Sequence, residues 1–149
     1  RMDSKATPIE DWHEVFQVNF FAPIMLARGL ADALKQGRGT IVNVTSIAGS
    51  KVHNFAGTAY ATSKAALSAL TREMANDFGS MGVRVNAIAP GEIKTDMISE
   101  DTEKVVLPDI PMHRLGTTKE VADSIYFLCS NDASYVNGAE LHINGGQHV

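Results

Sequence analysis

The sequence predicts an α/β fold: a doubly wound parallel sheet of three strands with flanking helices. Three observations carry this. Residues 40–45 and 83–89 are short apolar runs, the pattern of strands buried on both faces. Segments with apolar residues at helical spacing precede and separate them. The resulting order, helix then strand three times over, implies right-handed crossovers between parallel strands.

The first helix opens at Thr7-Pro8-Ile9-Glu10, which reads as a capping box with proline at the first helical position. It is expected to run to about Lys35 and to end at Gly37 and Gly39. Trp12, Phe16, Phe20, Ala27, Leu30 and Leu34 form one apolar stripe; Val15, Val18, Met25 and Leu26 form a second. One stripe suffices to cover a sheet, so two predict a further partner. Pro23 lies inside this helix and cannot donate to the Asn19 carbonyl, which predicts a kink and a freed carbonyl there. The strand 40–45 follows, then a glycine-containing loop, then a helix 58–78 closed by Gly79. Pro90-Gly91 stops the second strand. Residues 93–115 read as short helix and mobile loop around the acidic run Glu100-Asp101-Thr102-Glu103. Thr117-Thr118-Lys119-Glu120 is a second capping box, opening a helix to about Ser130. Asn137-Gly138 turns the chain into a last strand, 139–143.

Composition bounds the function. At 149 residues the chain fits one domain able to bury a core. A net charge of −4, with 13 scattered basic residues, argues against a nucleic-acid partner. No apolar stretch approaches the roughly 20 residues of a membrane span, and a cytoplasmic protein without membrane contact is expected. Cys129, the single cysteine, sits in Tyr126-Phe127-Leu128-Cys129 and is expected to be a buried structural thiol. The five histidines lack metal-ligand spacing, so no metal site is expected.

Chemistry concentrates in Tyr60-Ala61-Thr62-Ser63-Lys64, preceded by Ser46 just past the first strand. Tyr60 and Lys64 share one helix face. A phenol ordinarily titrates near about 10, and a neighbouring ammonium favours its ionised form, which suits proton exchange with a substrate oxygen. Ser46 and Pro90-Gly91 both lie past carboxyl ends of strands, where ligands of such sheets bind. Taken singly, a tyrosine and lysine at this spacing are most often a solvated pair. No G-x-G-x-x-G turn occurs in the chain, and Arg1 stands ahead of Met2. The expectation is therefore the later portion of a single dinucleotide-binding domain whose glycine-rich half is absent.

These residues resemble the short-chain dehydrogenase/reductase family. The resemblance rests on Asn19 in Gln17-Val18-Asn19-Phe20, Ser46 in Asn43-Val44-Thr45-Ser46-Ile47-Ala48-Gly49, and Tyr60-x-x-x-Lys64. It continues through Asn86-Ala87-Ile88-Ala89-Pro90-Gly91, Ile93-Lys94-Thr95-Asp96 and Ile143-Asn144-Gly145-Gly146. It implies a partial Rossmann-like sheet and NAD or NADP as cofactor. It further implies carbonyl–alcohol interconversion on a small molecule, with Tyr60 as acid/base and Ser46 positioning the substrate oxygen. Lys64 would hold the nicotinamide ribose and lower the phenol pKa, and Asn19 would anchor a water in a proton relay. Pro90, Gly91, Ile93 and Thr95 would border the nicotinamide, and 97–115 would set substrate choice. Family members pair through their long helices, so a homodimer or homotetramer is expected. The alternative is an inactive, truncated fragment that only dimerises; the 149 residues alone are expected to lack turnover.

Overall fold

The computed structural model describes residues 2–96 and 98–149; Arg1 and Met97, the first residue of the expected substrate-selecting stretch, lie outside them. Three parallel strands form the sheet: β1 (Thr40–Val44), β2 (Arg84–Pro90) and β5 (Glu140–Ile143), in the order β1-β2-β5. Thr40 pairs with Arg84 through to Val44 with Ile88, and Ala87 with Glu140 through to Pro90 with Ile143. The expected strands and parallel pairing are therefore present. β2 is the central strand, with Val85 to Ala89 fully buried. β1 is an edge of this sheet, so Val44 stays 44 % exposed rather than buried on both faces.

The first helix departs from expectation in four places. It begins with α1 (Ile9–Phe16), widens into a π-helical turn at Gln17–Phe21, resumes as α2 (Ala22–Gly29), and breaks at Leu30 before α3 (Ala31–Gly37). The π turn stands where a kink was expected from Pro23, an accepted way to accommodate a lost helical donor. The capping box at Thr7 does not form. Pro8 occupies the N-cap, and the Thr7 hydroxyl donates instead to the Asp3 carbonyl at 2.6 Å, within an upstream turn. At the far end the left-handed residue is Arg38 (φ 46°), flanked by the two glycines expected to close the helix.

α4 (Thr58–Gly79) packs across β1 and β2; Gly79 is its last helical residue rather than the cap expected, and Ser80 (φ −63°) stands at the C-cap. Its inward residues Leu67, Met74 and Ala75 are buried, with Val83, Val85 and Ala27 completing the main core. The Asn43 amide donates to Thr71 Oγ1 at 2.9 Å, fastening α4 to β1. α6 (Thr118–Cys129) carries the predicted capping box between Thr117 and Glu120. Arg114 bridges to Glu120, and this pair with the Thr117 hydrogen bonds holds the Glu120 carboxyl down to about 2. Only Leu128 of the closing apolar run of α6 is fully buried. Cys129 is exposed, not a buried thiol, because one step along a helix rotates a side chain off the face Leu128 presents to the sheet.

Asn86, fully buried on β2, donates to the Val136 carbonyl at 2.9 Å and accepts from the Ala139 amide at 3.0 Å. It thereby sets the turn into β5. Between β2 and α6 the chain forms α5 (Glu100–Val106) and a two-residue parallel ladder of β3 (Ile93–Lys94) with β4 (Gly116–Thr117). That ladder is too short for any sequence period to reveal. Val106, Ile110 and Leu115 close a small second core beside it.

The chain's last turn folds back on β5. His142 and His148 stack with ring centroids 4.1 Å apart, and His142 Nδ1 is buried with no hydrogen-bond partner among the described residues. Burial, and secondarily the neighbouring His148, hold the His142 imidazole below its ordinary value of 6.5. The unfolded chain therefore binds that proton more readily than the fold does. Stability from this site is complete above about pH 6.5 and is lost as pH falls through the lower folded value. The thermal midpoint is expected to drop as pH falls below about 6.5, and His142→Phe, which keeps a ring on His148, to flatten that drop. An equal pH slope in the variant would remove His142 as its source.

Candidate active site

The site is assembled where β1 and β2 end. Val44 closes β1; Thr45 and Ser46 follow. The Thr45 hydroxyl lies 2.8 Å from the Ile88 carbonyl and 2.6 Å from Glu140 Oε1, and Ser68 of α4 donates to the other Glu140 oxygen at 2.9 Å. One carboxylate on β5 thus ties the end of β1 to α4. Ser46, extended at φ −165°, caps a short 3₁₀ turn (Ile47–Gly49) by accepting from the Ala48 amide at 3.2 Å.

That turn lies directly on α4. A Cβ on Gly49 would stand 2.8 Å from the Ala65 nitrogen and 3.0 Å from the Lys64 carbonyl carbon. Glycine here permits the close approach that puts Ser46 beside the helix bearing Tyr60. Ser46, Tyr60 and Gly91 line one cavity of about 470 Å³, together with Ile47, Ala48 and the loop 53–57. Tyr60 is 38 % exposed, with its ring open to solvent. The Lys64 ammonium lies 5.6 Å from the Tyr60 ring centroid and donates to the Val44 carbonyl at 2.8 Å. Its partial burial lowers its pKa from the ordinary lysine value.

Asn19 sits in the π turn behind this helix. Its amide donates to Ser63 Oγ at 3.1 Å, and Ser63, fully buried, donates in turn to the Tyr60 carbonyl at 2.8 Å. Pro90 is the last residue of β2, and the Gly91 amide donates to the Ile143 carbonyl at 3.0 Å. Gly91 has no room for a side chain: a Cβ would meet Asn144 Cβ and Gln147 Oε1 at 2.6 Å. Ile93 is part-buried in β3 and Thr95 is exposed beyond it. Of the eight residues singled out from the sequence, Ser46, Tyr60 and Gly91 face a common cavity and Lys64 stands beside Tyr60. Pro90 and Ile93 flank that rim, Thr95 lies outside the cavity wall, and Asn19 reaches Tyr60 through Ser63.

Two further residues border the cavity: His53 and Glu92, with His53 Nε2 2.7 Å from Glu92 Oε1. The signal for Glu92 was an acidic residue directly after Pro90-Gly91, at the carboxyl end of β2. Their pairing across 39 positions had none. Among the described residues, no group of three or more His, Cys, Asp or Glu side chains could hold a metal, and no helix is long and apolar enough to cross a membrane.

The family model described as enoyl-(acyl carrier protein) reductase matches residues 2–148. The chain belongs to the short-chain dehydrogenase/reductase family. Among relatives of this family, the chain is 62 % identical to protein FixR of Bradyrhizobium diazoefficiens, covering 100 % of this chain and 54 % of that one. It is 60 % identical to an oxidoreductase of the family from Brucella ovis, solved with a partially ordered NAD (TM-score 0.79, 97 % of this chain, 57 % of that one). A 3-oxoacyl-[acyl-carrier protein] reductase from Brucella melitensis with bound NAD is 31 % identical, with TM-score 0.92 over 99 % of this chain and 55 % of that one. The chain spans about half the length of the curated relatives it matches.

Proposed function

We propose that the protein carrying this chain is an NAD(P)-dependent oxidoreductase that interconverts a carbonyl and a secondary alcohol, with Tyr60 as its acid/base. The observation that carries the reading is the shared cavity of Ser46 and Tyr60, with Lys64 beside the phenol. A substrate oxygen between two hydroxyls receives a hydrogen bond from Ser46 and exchanges a proton with Tyr60. In reduction Tyr60 protonates the developing alkoxide; in oxidation it takes the proton back. The Lys64 ammonium stabilises the phenolate left after reduction.

The rim fits the nicotinamide end of a dinucleotide. An ammonium has three donors, and Lys64 uses one on Val44, so two suit ribose hydroxyls. Pro90, Gly91, Ile93 and Thr95 supply a wall of backbone groups for the carboxamide. NAD or NADP, when bound, supplies or takes up the hydride at the substrate carbon. Asn19, fixed through Ser63 to the turn bearing Tyr60, supports its position and serves the proton relay.

Expression from the complete reading frame, followed by nicotinamide absorbance with secondary alcohols and ketones, tests the proposal. Turnover with one of the two cofactors is expected; none with either would contradict it. A second reading, a fragment that only pairs with itself, is favoured by one observation. Val18, Met25 and Leu26, the second stripe of the first helix, remain 63 %, 65 % and 63 % exposed. Burying such a face favours association at roughly 25 cal/mol per Å², most simply as a two-fold dimer through the first helix and α4. Light scattering on the 149-residue chain, with a monomer as the opposing result, tests it.

A further inference from the structure

We infer that Glu92, braced by His53, selects the substrate: the site takes secondary alcohols or ketones that carry a hydrogen-bond-donating group, hydroxyl or ammonium, beside the reacting carbon. This rests on the reading of Tyr60 as acid/base and adds the chemical class of what it acts on.

Glu92 follows Gly91 at the end of β2 and is one of the residues lining the cavity that holds Ser46 and Tyr60. Its side chain is only 14 % exposed and that of His53 only 16 %. His53 Nδ1 accepts from the Phe55 amide at 3.3 Å, which leaves Nε2 as the nitrogen that carries hydrogen, 2.7 Å from Glu92 Oε1. A carboxylate offers about four acceptor positions; His53 stands against Oε1, which is buried and accepts no hydrogen bond among the described residues. Lys51, on the same loop, donates to the Gln147 carbonyl at 2.7 Å rather than to Glu92. A carboxylate so far withdrawn from water needs donors.

Apart from His53 and the Ser46 and Tyr60 hydroxyls, which serve the reacting oxygen, the wall residues Ile47, Ala48, Phe55, Ala56, Gly57 and Gly91 supply no donor side chain. A ligand hydroxyl or ammonium meets the need; an alkyl chain leaves the carboxylate unmatched, and a ligand carboxylate repels it. Sites that hydrogen-bond a substrate group reject analogues lacking it far more strongly than apolar pockets discriminate by size. The cavity is therefore ill suited to the alkyl chain of an acyl thioester, in contrast to what the Brucella melitensis reductase is named for.

Four secondary alcohols of one skeleton test this: 2-butanol, 1,2-propanediol, 1-amino-2-propanol and 3-hydroxybutyrate, which differ only in a methyl, hydroxyl, ammonium or carboxylate terminus. In the protein from the complete reading frame, the hydroxyl or ammonium compound is expected to exceed 2-butanol in kcat/KM by at least about tenfold, the worth of one hydrogen bond to a charged group. The carboxylate compound is expected to be poorest. Glu92→Ala should bring all four within about threefold, since the discriminating bond is gone. The near-isosteric Glu92→Gln should keep the hydroxyl preference and lose the ammonium one, a pattern that loss of fold cannot produce. Ligand-detected NMR titration of the same four alcohols repeats the ranking without turnover. If none is oxidised yet the donors bind best and Glu92→Ala abolishes that, the inference stands and the proposed activity falls. A preference for 2-butanol or 3-hydroxybutyrate, no binding of either donor alcohol, or a ranking unchanged in Glu92→Ala overturns it.

Discussion

Tyr60→Phe is expected to lower kcat by about 10²–10⁴-fold, the usual worth of a positioned proton donor. The substitution removes one hydroxyl from a ring that is 38 % exposed, so stability should change by no more than roughly 0.5 kcal/mol. Cofactor affinity should stay near the parent value, because Lys64 and the rim 90–95 are untouched. Steady-state kinetics and thermal unfolding on the same preparation check both halves. Near-normal kcat with intact fold would remove Tyr60 from the acid/base role.

The second large effect is expected from Gly49→Ala. The added Cβ meets α4 backbone at 2.8 Å and 3.0 Å, atoms that cannot swing aside as a side-chain tip can. Either the turn bearing Ser46 or the helix bearing Tyr60 must move. Overpacking of this kind costs about 1–3 kcal/mol, and a misplacement of about 1 Å at reacting groups costs about 10²-fold in rate. Gly29 is the control, since nothing lies within 4 Å of a Cβ there. Gly29→Ala should leave stability equal or raised by less than about 1 kcal/mol. Comparable behaviour of the two variants would show that the tight contact at Gly49 does not set the Ser46–Tyr60 spacing.

The sheet was legible because its signals are local. The apolar runs ending at Val44 and Ala89 have no helical alternative of that length, and Thr117 and Glu120 satisfy each other within one turn. The failures come from competitors the apolar pattern does not show, one of them only four residues upstream. Thr7 and Glu10 read as a box, yet the Asp3 carbonyl takes the Thr7 hydroxyl. Cys129 reads as core from its apolar neighbours, yet which face of α6 meets the sheet decides its exposure, and Leu128 holds that face. The π turn at Gln17–Phe21 adds a residue to one turn without changing the apolar pattern, so Pro23 was legible and the local winding was not.

The candidate site divides the same way. Tyr60 and Lys64 were legible because helical spacing alone puts them on one face, and Ser46 because it ends a recognisable strand. The bond from Asn19 to Ser63 depends on how the first helix crosses α4, which no local period encodes. His53 and Glu92 meet only because the loop after Ser46 folds over the end of β2. What the sequence hid is the pairing of His53 with Glu92 on the cavity wall.

The most direct test of the central claim, that Tyr60, aided by Ser46 and Lys64, exchanges a proton with an alcohol oxygen during nicotinamide-linked oxidation, follows a deuterium label. The protein from the complete reading frame is incubated with NAD or NADP and each of the four secondary alcohols deuterated at its carbinol carbon, and the nicotinamide is analysed by mass spectrometry. The account predicts deuterium on the nicotinamide ring from at least one alcohol, at a rate at least about 10²-fold lower in Tyr60→Phe. No label from any of the alcohols with either cofactor, or a rate undiminished in Tyr60→Phe, would contradict it.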